Sequence, residues 1–296
     1  RTTAQAAALM DDRQRALDTI SEYLPIEAVP RDGGTIDVVT SEGVYLVAGT
    51  AKQLEFTPGN AFGPNMTVDN GALSKLMVGD LELTPGASSY AAVSSGMFGA
   101  LFTLRDADLP AFGAQLDTIA NDLVSRLSND AIDPTKVAGE FGLFVDTGTP
   151  GDPGLAGRID INAQIDPTQG GSIWRLRDGI GAASEGPPGN NSILSAMSDA
   201  FTAIQSMNAN GIEGSFSATD LVAHVASMTG QTRISHETAL SAASTQHDLM
   251  MEAELSETGV DIDSQMQDLL AIEQAYAANA RVIEIANQML QRLMEI

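Results

Sequence analysis

Between Asp261 and Ile296 the apolar residues recur at a spacing that suits a helix lying against other helices. Ile262, Leu269, Tyr276, Ile283 and Leu290 fall at every seventh position, and Ile272, Ala286 and Leu293 sit three residues after Leu269, Ile283 and Leu290. This is the a/d seam of a coiled coil, sustained for about four heptads. No Gly or Pro interrupts it, and strong helix formers dominate. A helix of this length reaches roughly 50 Å. Propensity alone does not hold such a helix together in water, so its stripe needs a partner. Gln265 and Asn279 occupy d positions, where polar groups set register at a cost in stability. Met266, Leu270, Val282, Ile285, Met289 and Met294 widen the stripe and suggest more than one neighbour. The simpler alternative is a terminal helix docked on its own domain.

The 296 residues are 43% hydrophobic, enough for two or three domains with real cores and too apolar for global disorder. With 39 acidic against 15 basic residues the net charge is −24. A field of that sign repels phosphate backbones and anionic membrane surfaces, so nucleic acid is not an expected partner. There is no Cys, which removes disulfides, thiol catalysis and Cys-ligated metals. No apolar run is long enough to span a membrane, so no membrane insertion is expected. No cleavable signal is visible, and the chain opens on Arg1 in a helical stretch. A fragment whose N-terminal part is missing is expected.

Along the chain the hydrophobic period changes several times. Residues 1–24 read as a helix stopped by Pro25, because the residue before a proline is pushed out of the helical region. From Ile26 to about Ser95, short apolar runs between turn residues read as a β-meander or stacked hairpins. Helical period returns at Met97, and Pro110 marks either a kink or the first turn of a second helix. Phe141–Val145 and Arg158–Ile165 are candidate strands separated by a Gly- and Pro-rich loop. Leu194, Met197, Phe201 and Ile204 suggest another amphipathic helix. Ser217 and Asp220, with Phe216 and Leu221 around them, carry the capping-box and staple signals of a long helix. That helix is expected to reach about Ser256, with a possible break at Gly230, and Asp261 or Asp263 caps the last one.

The expected class is α+β: a discontinuous helical bundle with two β-rich blocks and a long C-terminal coiled-coil-type helix. The expected partition is a helical core from 1–26, 96–138 and 190–256, β-rich blocks at 27–95 and 139–189, and the terminal helix at 257–296.

Few residues invite a catalytic reading. Leu143-Phe144-Val145-Asp146-Thr147-Gly148-Thr149 has the local form of an aspartic-protease carboxylate. That chemistry needs two carboxylates sharing a proton, and a second Asp-Thr-Gly or Asp-Ser-Gly after an apolar pair does not occur. Asp146 therefore reads first as a turn residue, with an aspartic hydrolase as the alternative. His224, His236 and His247 lack metal-ligand spacing and read as exposed helix residues. Asp261-Ile262-Asp263-Ser264 lacks the Gly and Glu of a calcium loop. No cofactor, metal or catalytic residue is expected.

Leu269, the run Gln274-Ala275-Tyr276-Ala277-Ala278-Asn279-Ala280-Arg281-Val282-Ile283, Ala286 and Met289 resemble the C-terminal signature of flagellar axial proteins. Upstream, Met10-Asp11-Asp12-Arg13-Gln14-Arg15-Ala16-Leu17 with Ile20-Ser21 is similar to a helix of the hook-associated protein 1 family. The Asp32–Val38 hairpin fits the same family. So does Gly99-Ala100-Leu101-Phe102-Thr103-Leu104-Arg105-Asp106, continuing through Leu109-Pro110 to Gln115-Leu116-Asp117. The resemblance implies a non-catalytic subunit at the hook–filament junction. It implies contacts with the hook protein, with hook-associated protein 3 and with further copies of itself in a ring or tube. It also implies export, without a cleaved signal, by the flagellar type III apparatus to an extracellular position, and an export chaperone on the C-terminal helix. The family's N-terminal helical region is expected to be missing from this stretch of chain. A hook or distal-rod axial protein shares the terminal motif and is the remaining alternative.

Overall fold

A computed structural model describes residues 3–59, 62–68, 70–259 and 262–294, with the side chains of Thr3, Thr258, Ile262 and residues 290–294 left aside. Contacts divide the chain into two units, residues 1–229 and 230–296. The chain is α+β, with small antiparallel sheets and long helices.

The first unit opens with α1 (Thr3–Tyr23), which ends where Pro25 requires. Leu24, donating its N–H to the Ile20 carbonyl, drops into the first core. Strands β1 (Ile26–Pro30), β2 (Ile36–Thr40), β3 (Tyr45–Ala48) and β4 (Thr50–Ala51) form one antiparallel sheet in sequence order. Ile26 faces Thr40 and Pro30 faces Ile36 across the first pair. A second sheet of β5 (Leu54–Glu55), β6 (Met77–Val78) and β7 (Leu81–Glu82) follows. Leu24, Val38, Val44, Leu46, Leu76, Val78, Leu83 and Val93 close the core between them, with Phe102 from the next helix. Burial of these side chains, at ~1.5–3 kcal/mol each, is what holds such short strands together.

Helix α2 (Gly96–Thr103) starts against the end of α1. Gly96 has φ +77°, and a Cβ there would lie 2.6 Å from the Tyr23 carbonyl oxygen, so only glycine allows the approach. A π-turn (Leu104–Asp108) joins α2 to α3 (Leu109–Leu127) without a break in helical backbone. This resolves the two expectations for Pro110. Leu109 N–H donates to the Leu104 carbonyl five residues back, and the wider turn accommodates the proline ring near the carbonyl it would otherwise strike.

Beyond α3, strands β8 (Phe144–Asp146) and β9 (Ile159–Ile161) pair over three residues each, fewer than the alternating pattern promised. Asn162 ends the second. Its side chain accepts from the Gln164 N–H and donates to the Gly142 carbonyl, turning the chain so that Ile165 is buried outside any strand. A short helix α4 (Arg175–Asp178) and α5 (Ser192–Thr202) follow. Leu127, Ile132, Ile193 and Met197 form the second core between α3 and α5.

Ile204 was expected to continue α5, but the helix stops at Thr202 and Ile204 is exposed. The stretch 190–256 also holds a hairpin that the helical reading of it missed: β10 (Gln205–Ala209) and β11 (Ile212–Phe216). Its turn is Asn210-Gly211, both at positive φ, the two-residue pairing that suits a tight hairpin. The Asn210 amide donates to the Ala114 carbonyl and to Thr118 Oγ1, pinning the tip on α3.

Helix α6 (Ala218–Thr258) starts where the capping signals place it. Ser217 Oγ accepts from the Asp220 N–H and donates to the Asp220 carboxylate, and Leu221 is buried beside Phe216 and Ile212 in the third core. The helix passes Gly230 uninterrupted. In the second unit, α6 runs to Thr258 and α7 (Ile262–Met294) follows; Asp261 lies outside the described residues.

Candidate interaction helices

The seam residues of α7 are all helical, and those with described side chains face solvent. Leu269, Ile272, Tyr276 and Ile283 expose between 62% and 78% of their surface, and Ala286 is exposed as well. The side chains of Ile262, Leu290 and Leu293 lie outside the described ones. Leu270, Val282, Ile285 and Met289, beside the seam, are also exposed, as are Ile234, Leu240, Leu249 and Leu255 on α6. No described residue after Val225 is buried. The second unit thus presents two long helices whose apolar side chains have no cover among the described residues, an arrangement of the kind that marks an interaction surface. Covering a Leu or Ile is worth about 1.5–3 kcal/mol, so four such residues represent a large free energy available to a partner.

Asp146, the carboxylate with the protease-like surroundings, is engaged in holding a loop. Arg158 donates to it twice, Nε to Oδ1 at 2.6 Å and Nη2 to Oδ2 at 3.2 Å, and the Gly148 N–H donates to Oδ1 at 2.9 Å. The same guanidinium donates to the carbonyls of Thr149, Asp152 and Pro153. From α3, Asp117 accepts the N–H groups of Gly154 and Ala156 at 2.6 and 2.7 Å. The charged neighbour of Asp146 is therefore a cation that stabilises its ionised form, the opposite of a proton-sharing carboxylate pair. The hydrogen bonds from Arg158, first, and from the Gly148 N–H hold its carboxyl below the ordinary value of 3.8. A depressed carboxylate contributes stability that is complete above the unfolded value and is lost as pH falls through the folded one. The expected outcome is loosening of the 147–157 loop as pH drops below about 3.8, read from amide exchange at Gly148 and Gly154. Asp146→Asn should remove most of that pH dependence; an unchanged acid response in the variant would assign it to another group.

The histidines divide. His224 stacks on Phe216 with ring centroids 4.8 Å apart beside the third core, which departs from the exposed position expected, while His236 and His247 are exposed. Among the described residues no group of three His, Asp or Glu is placed to hold a metal, and no described helix is long and apolar enough to cross a membrane. The features that sequence reasoning missed are the loop-holding roles of Asp117 and Arg158, whose partners lie 37 and 39, and 5 to 12, residues away.

Two families match this chain. The flagellar hook-associated protein FlgK helical domain matches residues 1–139, which hold α1 through α3 and both β1–β7 sheets. The flagellar basal body rod FlgEFG protein C-terminal family matches residues 251–296, which hold the last turns of α6 and all of α7. Among curated proteins none matches the chain. The order of the two matches, helical domain first and axial C-terminal helix last, is the order in which the hook-associated motifs run along the sequence. The two matches together therefore support a FlgK-like flagellar hook-associated protein with a structural role in the bacterial flagellum.

Proposed function

We propose that the chain is a subunit of the hook–filament junction, assembling through helix–helix packing and carrying out no catalysis. One observation carries this reading: the described large apolar residues of α7, from Met266 to Met289, are exposed within the region that matches the axial C-terminal family. A solvent-facing seam of this kind is stable in water only when another helix covers it. The covering helices belong to neighbouring flagellar subunits, with the hook protein on one side, hook-associated protein 3 on the other and further copies of this chain around the ring. Ile262, Leu269, Ile272, Tyr276, Ile283, Ala286, Leu290 and Leu293 form the partner-helix seam. Before assembly an export chaperone shields it, and the chain leaves the cell through the type III apparatus without a cleaved signal. In this reading 1–26, 96–138 and 190–256 make one discontinuous helical domain, whose α6 residues after Met228 stand outside its buried cores, and the β-rich blocks 27–95 and 139–189 lie on the outer side of the assembly. A rod or hook subunit would suit the match over 251–296, but the match over 1–139 to a hook-associated helical domain favours the junction.

Removing residues 261–296 tests the reading. The truncated chain is expected to keep the thermal transition of residues 1–229, because the three cores are built, among the described residues, from side chains between Leu17 and Met228. It is expected to lose binding to purified hooks and to the export chaperone. A truncated chain that still caps hooks and supports filament growth would defeat the proposal.

A further inference from the structure

The second unit carries an unusual share of accessible sulfur. Met250 and Met251 on α6, and Met266 and Met289 on α7, expose between 52% and 64% of their surface. Each lies among the apolar side chains of its helix: Leu249 and Leu255 near the first two, Leu269 and Leu270 near Met266, and Ile285 near Met289. The chain has no Cys, so methionine is its only sulfur and its softest site for two-electron oxidation. Met197, in contrast, sits in the second core at 7% exposure.

We propose that Met250, Met251, Met266 and Met289 form a modification site at which hypochlorous acid blocks the packing of α6 and α7 against partner helices. The thioether sulfur attacks the electrophilic chlorine of HOCl and releases hydroxide. Water then replaces chloride on sulfur and gives up two protons, one of which neutralises the released hydroxide, leaving a sulfoxide, chloride and one net proton. Sulfur loses two electrons, chlorine gains two, and no further reductant or oxidant is consumed. The product is polar and chiral where the helix face requires a flexible apolar side chain, so a sulfoxide must either be desolvated or hold the partner off. Once helices are packed the same sulfurs are covered, which confines the sensitivity to the free subunit. The proposal rests on the assembly reading above.

The test treats the full chain with a few equivalents of hypochlorous acid, locates added oxygen by peptide mass spectrometry, and measures retention on sedimented hooks. Oxidation following exposed fraction should run roughly tenfold faster at the four residues than at Met197. Retention of the oxidised chain should fall by at least about tenfold. The combined variant Met250→Leu, Met251→Leu, Met266→Leu and Met289→Leu keeps the apolar face at similar volume and should bind before and after treatment. That variant also controls for Met10 and Met97, which are exposed in the first unit. Equal binding by treated and untreated wild-type chain, or equal loss in the Leu variant, overturns the proposal. Failure of the untreated wild-type chain to bind hooks is seen before any oxidant is added, and overturns the assembly reading together with what rests on it.

Discussion

Replacing Arg126 with Met is expected to destabilise the first unit by about 3–5 kcal/mol, the usual cost of breaking a buried ion pair from one side. Arg126 and Asp122 lie one turn apart on α3, and their side chains are 0% and 1% exposed. Arg126 Nε donates to Asp122 Oδ2 at 2.6 Å, while the other guanidinium nitrogens donate to the carbonyls of Ala200, Ala203 and Phe216. One side chain thereby ties α3 to the end of α5 and to the end of β11. Without it, Asp122 is a buried charge with no cation, and its Oδ1 already lacks a hydrogen-bond partner among the described residues. Three carbonyls lose a donor at the same time. Urea unfolding at constant pH checks the expectation. Adding Asp122→Leu to Arg126→Met should recover part of the loss, because the stranded charge goes, but not all of it. The carbonyls stay unsatisfied at about 1–3 kcal/mol for each that water does not reach. A single variant that loses under about 1 kcal/mol would mean the pair behaves as a surface salt bridge.

Leu269→Gln, Ile272→Gln and Ile283→Gln together should leave the folded chain almost untouched and abolish assembly. All three side chains are well exposed, so their replacement changes little burial within the chain. Gln is as good a helix former as Leu and better than Ile, so α7 should keep its helicity. Stability is expected to move within about 0.5 kcal/mol, the range of ordinary surface substitutions. In a packed seam the same residues would each contribute ~1.5–3 kcal/mol, so losing three weakens binding by about 5 kcal/mol or more, over a thousandfold. Circular dichroism and thermal melting follow the first expectation, and co-sedimentation with hooks the second. Retained binding with all three Gln in place would move the contact surface off this face.

Arg126 and the seam lie at opposite ends of what could be read ahead of the coordinates. The seam needs only the spacing of apolar residues along one helix, which the order of residues states directly. The end of α1 at Pro25 and the start of α6 at Ser217 are legible for the same reason, since the groups involved lie within four residues of one another. The hairpin from Gln205 to Phe216 was within reach through Asn210-Gly211. Its first strand, Gln-Ser-Met-Asn-Ala, has low β-propensity, and the helical period before it ran on to Ile204. The helix actually closes at Thr202, where Arg126 accommodates the carbonyls of Ala200 and Ala203. That donor stands more than seventy residues earlier in the chain.

Local order therefore dictated where α1 ends and where α6 begins, that the class is α+β, and that α7 carries an apolar face in need of cover. Those properties arise from hydrogen bonds and side-chain periods spanning a few residues. The duties of Asp146, Asp117 and Arg126 were decided only when distant segments met. A carboxylate becomes a loop anchor, and an arginine a tie between helices, through the donor or acceptor placed against it, and no spacing along the chain specifies that neighbour.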